Sequence, residues 1–167
     1  MKLLTVTLAA VSLVAVSNAD LRSDINAMNG RIGSAMVKGD MKALDAMMKA
    51  GMTKDFKYIE GGKTMTYDQM MVQMKASMSS MKCTSAVAKL LTLKEKGNMA
   101  TSTESHVMKG TMPPGADKKV HTMSFVGTST NTYVKVGKDW KMSKMSWGKS
   151  TMMMDGKPMD MSKMGGK

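Results

Sequence analysis

Among 167 residues there are one cysteine, two histidines, three prolines and seven aromatic residues outside histidine: two Trp, three Tyr and two Phe. Each shortage excludes something. Cys83 alone cannot close an internal disulfide, so stability has to come from packing. It reads as a small buried hydrophobe, or as a free thiol open to dimer linkage or metal. The chain has no CxxC, no H-E-x-x-H, no G-x-S-x-G elbow and no glycine-rich phosphate loop between a strand and a helix. Thiol-redox, hydrolase and nucleotide-binding readings are therefore weak. Arginine is as scarce, with only Arg22 and Arg31. Nucleic-acid readers lean on arginine for bidentate contacts and on aromatics for stacking. The lysines that give the net charge of +12 are spread through every segment, so no nucleic-acid partner is expected. Weak adsorption to anionic surfaces follows from that charge alone.

Long apolar runs are confined to the start. Leu3 to Val16 follows Met1-Lys2 and precedes the small residues Ser17-Asn18-Ala19. Residues 1–19 read as a secretory signal peptide cleaved between Ala19 and Asp20, which implies a secreted or periplasmic protein. The run is too short for a stable anchor, so no integral membrane segment is expected after processing. Methionine is abundant, 25 in all, while branched aliphatics are few. A core filled by flexible thioethers packs, but less rigidly than one of branched residues.

The stretch Lys57 to Met81 organises the rest: helices before it, strands after it. Leu21, Ile25, Met28, Ile32 and Met36 recur at helical spacing and predict a first helix. Lys38-Gly39-Asp40 stops it and caps a second, Met41 to about Ala50. Asp55 to Glu60 reads as a strand ending in the Gly61-Gly62 turn. Thr66, with Gln69 three residues on, opens a third helix to about Lys82. Strands are expected at 85–95, 99–109, 120–135 and 140–147, with turns at Lys96-Gly97-Asn98 and Gly137-Lys138-Asp139. Gly127 suits a bend, and a bulge between Trp140 and Trp147 would put both on the covered side. Residues 20–150 form one domain. Residues 151–167 are a Met-, Lys- and Gly-rich tail expected to lack order, although part of it could extend the last strand.

Three helices followed by a curved antiparallel sheet make an α+β roll around a cone-shaped cavity. The segments Met36 to Leu44, Asp55 to Gly62 and Val136 to Met142, in that order, resemble the nuclear transport factor 2-like (NTF2-like, cystatin-like) superfamily in its SnoaL-like and DUF4440-like branch. The likeness covers about Leu21 to Trp147. It implies the roll fold and a cavity. It does not imply one activity, because members include isomerases, dehydratases, cyclases, adaptors and exported proteins without known chemistry. The catalytic Asp of the enzymatic members has no match here, since Asp55 and Asp68 fall at segment boundaries.

Three readings of function follow. In the first, an exported domain binds a small apolar or amphipathic ligand among Phe56, Tyr58, Tyr133 and Trp147, and dimerises through its open sheet face. A filled core with tyrosine hydroxyls at its edge is the alternative use of the same residues. In the second, an isomerase-, dehydratase- or cyclase-like enzyme works without a cofactor. Glu104 and His106 share one side of a strand as an acid–base pair, and His121 approaches them if register allows. In the third, Met152, Met153, Met154, Met159, Met161 and Met164 collect Cu(I), for which thioethers are soft ligands. The enrichment of methionine throughout the chain argues for a compositional habit instead.

Overall fold

The computed structural model describes residues 20–114 and 117–159. The expected signal peptide, Met161 and Met164 lie outside the described residues. Asp20 caps the first helix, α1 (Leu21–Lys38), by accepting a hydrogen bond from the Arg22 amide at 3.1 Å. Gly39 ends it with a left-handed φ of 68°, a conformation that costs a side-chain-bearing residue energy. Asp40 then caps α2 (Met41–Gly51) through the Ala43 amide at 2.9 Å. The sequence Lys38-Gly39-Asp40 thus closes one helix and opens the next.

Strand β1 (Met52–Glu60) turns through Gly61 and Gly62, both at positive φ, into the short β2 (Lys63–Thr66). Helix α3 (Tyr67–Ser79) opens with a complete capping box between Thr66 and Gln69. Four long strands follow: β3 (Lys82–Lys96), β4 (Met99–Met112), β5 (His121–Val136) and β6 (Asp139–Met154), and then the two-residue β7 (Lys157–Pro158). The sheet order is β2-β1-β6-β5-β4-β3, with β7 also on β6. All pairs are antiparallel except β1 with β6. The fold is therefore an α+β roll of three helices on an open, mostly antiparallel sheet.

The register shows which expectations hold. An extra residue at Ser143 in β6 returns Trp140, Met142, Met145 and Trp147 to the face that carries Tyr133, Asn131 and Ser129. That is the bulge expected between the tryptophans. Part of the tail does extend the last strand. Thr151–Met154 belong to β6, and Met159 is tied back by its amide to the Met152 carbonyl at 2.8 Å. Strand β2, the β1–β6 parallel pair and β7 had no counterpart in the sequence reading.

Two hydrophobic clusters meet under the helices. One gathers Leu44, Met48, Met52, Phe56, Met70 and Met71 from α2, β1 and α3. The other gathers Leu21 and Ile25 of α1 with Leu90, Ala100 and Tyr133 of the sheet, and Met142 packs against both. Helix α1 lies along β3. Gly33 makes that approach close, because a Cβ there would run into the Ala86 carbonyl oxygen. Methionine here is core material: Met48, Met52, Met70 and Met71 are all buried.

Candidate functional site

Alternation along β4 puts Ala100, Ser102, Glu104 and His106 on the face under the helices, and along β5 puts Ser129, Asn131 and Tyr133 beside them. Glu104 is 2 % exposed. Its Oε1 accepts hydrogen bonds from Ser102 Oγ at 2.8 Å, Asn131 Nδ2 at 2.8 Å and Tyr133 Oη at 3.1 Å. Its Oε2 accepts from Asn29 Nδ2 of α1 at 2.9 Å. Four neutral donors surround the carboxylate, and none of these partners is a lysine or arginine. Burial holds the Tyr133 phenol far above its ordinary range, and the Glu104 charge pushes the same way, so the hydroxyl keeps its proton and donates it. Asn131 is fully buried, and its Oδ1 has no donor.

Over this polar floor lies a cavity of about 100 Å³, where the two hydrophobic clusters meet. Leu21, Ile25, Met28 and Ile32 of α1 and Met47 and Met48 of α2 form its roof. Tyr133, Trp140, Met52 and Met142 form its floor on the sheet. Its polar members are Asp24, Asn29 and the Tyr133 hydroxyl. Asn29 and Tyr133 both reach Glu104, so the carboxylate stands one hydrogen bond behind the wall. A second hollow, about 340 Å³, opens between the C-terminal ends of α1 and α3 and the start of β3. Its lining includes Met36, Met41, Met78, Met81, Cys83 and three lysines, and no acidic residue.

The expected site residues divide between several places. Glu104 and Tyr133 come together at the cavity. Phe56 is sealed in the first cluster at 3 % exposure. Tyr58 donates from its hydroxyl to Glu60 Oε2 at 3.1 Å, and burial, then the Glu60 charge, raises its pKa. Trp147 packs its ring against His106 at 4.7 Å and edge-on to Phe125 at 5.2 Å. Neither Tyr58 nor Trp147 lines the cavity.

His106 shares the inner face with Glu104 but bonds elsewhere: its Nε2 and Ser129 Oγ are 2.8 Å apart. Burial lowers its pKa, with the Glu104 charge opposing, and the imidazole is held neutral. The expected oriented Glu104–His106 pair is thus replaced by two separate sets of hydrogen bonds. His121 does not join them. It pairs with Met112, six residues along β5 from Gly127, the partner of His106, which is roughly 20 Å of strand. Its ring instead bridges Asp155 Oδ2 at 2.6 Å and Asp117 Oδ2 at 2.9 Å, pairing the start of β5 with the β6–β7 turn and the preceding loop.

The tail methionines also separate. Met152 and Met154 lie in β6 opposite Phe125 and Met123, Met153 points to the other face, and Met159 follows β7. Among the described residues no group of three or more His, Cys, Asp or Glu is placed to hold a metal ion. Also among them, no helix is long and apolar enough to cross a membrane.

Asn29, Ser102, Asn131, Asp24 and Trp140 were not among the site residues expected from sequence. Strand parity carried part of the signal, since Ser102 stands two residues from Glu104 and Asn131 two from Tyr133. Asn29 lies one helical turn after Ile25.

Comparison with solved structures returns the same architecture. A conserved protein from Planctomyces limnophilus superposes with a TM-score of 0.62 at 13% identity, over 80% of this chain and 100% of its own. A Kribbella flavida protein gives 0.58 at 15% identity, over 75% and 88%. An NTF2-like superfamily protein from Salmonella enterica serovar Typhimurium gives 0.57 at 12% identity, over 77% and 89%. At these identities the likeness is one of fold alone. No curated protein sequence matches the chain. The SnoaL-like domain family matches residues 25–153, and with the helices, the sheet and the cavity in place this chain belongs to that family, within the NTF2-like superfamily.

Proposed function

We propose that the protein binds a small ligand, apolar over most of its surface and polar at one end, in the cavity under α1 and α2. One observation carries the reading. A half-open apolar hollow lies against a wall where Asn29, Tyr133 and the buried Glu104 form a fixed polar network. Ligand sites are typically apolar chambers with a few placed polar groups. Such a network is stiff, because each donor already has its acceptor. A ligand therefore meets preset geometry. The cavity is small, so the ligand is short, or only one end of it enters.

The test uses the two indole N–H resonances of the protein, one each from Trp140 and Trp147. Titration with 1-butanol should move the Trp140 signal, which belongs to the cavity, and leave Trp147 in place. Movement of Trp147 alone would transfer the site to the His106–Phe125 patch.

A second reading draws on a specific contact, the 3.1 Å bond from Tyr133 to Glu104 at the cavity wall. Proton transfer to a bound substrate by this pair, in a cofactor-independent isomerase, dehydratase or cyclase, would show as loss of turnover in Tyr133→Phe with binding retained. Export remains part of the proposal, on the strength of residues 1–19. So does homodimerisation through the outer sheet face, where Val87, Leu91, Val107 and Val126 are exposed. Sedimentation of the purified protein tests the latter.

A further inference from the structure

We infer that the polar end of the cavity's ligand is cationic, and that the cavity takes a short-chain organic ammonium with Asp24 as its counter-ion. The inference rests on the cavity being the binding site.

The chain carries 25 Lys and Arg against 13 Asp and Glu, spread through its length. A random patch of its surface should be basic, as the larger hollow is, with Lys38, Lys75 and Lys82 in its lining. The cavity reverses this. Among the described residues no basic one lines it, and the one charged lining residue is Asp24. Behind Asn29 and Tyr133 stands a second carboxylate, Glu104, held by four neutral donors. Two carboxylates, Asp24 in the wall and Glu104 behind it, favour a donor that carries positive charge, and they disfavour an anion.

The apolar part of the wall agrees. The thioethers of Met28, Met47 and Met142 are polarisable partners for the alkyl groups of an ammonium. Lys135 lies over the Trp140 ring at 5.6 Å, but it is exposed and does not line the cavity. Non-specific attraction would not mimic the effect, because a protein of net charge +12 repels cations at long range.

The experiment compares three probes of similar size: n-butylammonium, 1-butanol and butyrate. Kd is read from the Trp140 indole N–H shift at pH 7 and moderate salt, with the Trp147 signal as internal reference. The expected order is ammonium tightest, about tenfold ahead of the alcohol, with butyrate weakest. Asp24→Asn should remove most of the preference for ammonium over 1-butanol. Asp24 is half-exposed at the start of α1, so this variant does not disturb the buried network. Equal Kd values for ammonium and alcohol at Trp140 would overturn the cation assignment and leave the cavity reading standing. So would an ammonium preference that survives Asp24→Asn. No Trp140 shift with any probe would overturn both.

Discussion

The two hollows of this protein differ in the opposite sense to their sizes. The larger, about 340 Å³, is walled by thioethers and rimmed by lysines, and no buried polar network reaches it. The smaller, about 100 Å³, sits on Glu104, Asn29, Asn131 and Tyr133, whose hydrogen bonds are fixed by three different elements. Volume alone therefore misplaces the site. What separates the two is preorganisation: a polar group already desolvated and oriented costs a ligand little further ordering. The same contrast divides the methionines. Met48, Met52, Met70 and Met71 are packed in the core, while Met78 and Met81 line the larger groove, where Met36 and Met41 also pack against the core.

The contrast breaks most visibly at Glu104. Replacing it with Ala leaves the donors of Asn29, Ser102, Asn131 and Tyr133 facing a void. The expected loss is about 3 kcal/mol or more by urea unfolding. Lys75→Ala, at the edge of the larger groove, should stay within about 0.5 kcal/mol in the same assay. Comparable losses at the two positions would erase the distinction. Gly33 comes next. A valine there meets the Ala86 backbone and lifts α1 from β3, at about 2 kcal/mol, visible in the thermal midpoint. Thr66→Ala, in the α3 capping box, should cost about 1 kcal/mol, and it should leave probe binding at Trp140 unchanged because α3 does not line the cavity.

The smallest effects come from pH, where the two histidines have opposite signs. Burial holds His106 below its ordinary 6.5, so its share of stability is present above 6.5 and falls as pH drops through that value. Hydrogen bonding to Asp155, aided by the Asp117 and Asp155 charges, raises His121 above 6.5. Its share is present below 6.5 and is lost as pH rises through the higher value. Asp155 is held below 3.8, chiefly by His121, so its share is lost as pH falls through that lower value. The gap in thermal midpoint between wild type and His121→Gln should therefore be widest between about pH 4 and 6.5 and close on the alkaline side. A gap that widens with rising pH would mean the clamp does not hold the imidazolium.

Local signals were legible in the sequence wherever chemistry within a few residues decides the outcome. Lys38-Gly39-Asp40 marked a helix end and the next cap, Thr66 and Gln69 marked α3, and the seven-residue spacing of Trp140 and Trp147 required a bulge. Long-range pairing was not legible. Strand β2 has only four residues, and its Thr66 doubles as the cap of α3, so Lys63–Thr66 read as a run into the helix. The parallel β1–β6 pair joins segments some ninety residues apart, which no local pattern records. Glu104 and Tyr133 could be proposed from strand parity. Asn29, Ser102 and Asn131 could not, because a polar residue on a periodic face reads as solvated until register brings its partner beside it. Only the β4–β5 register separates His121 from His106.

The central claim is that the small cavity over Glu104, and not the larger groove, is the binding site. Crystals of the protein under xenon pressure test it most directly, since xenon settles in apolar hollows. The account requires a xenon peak against Tyr133, Met48 and Met142, under α1. A peak confined to the groove of Met36, Met78 and Cys83, with nothing against Tyr133, would contradict it.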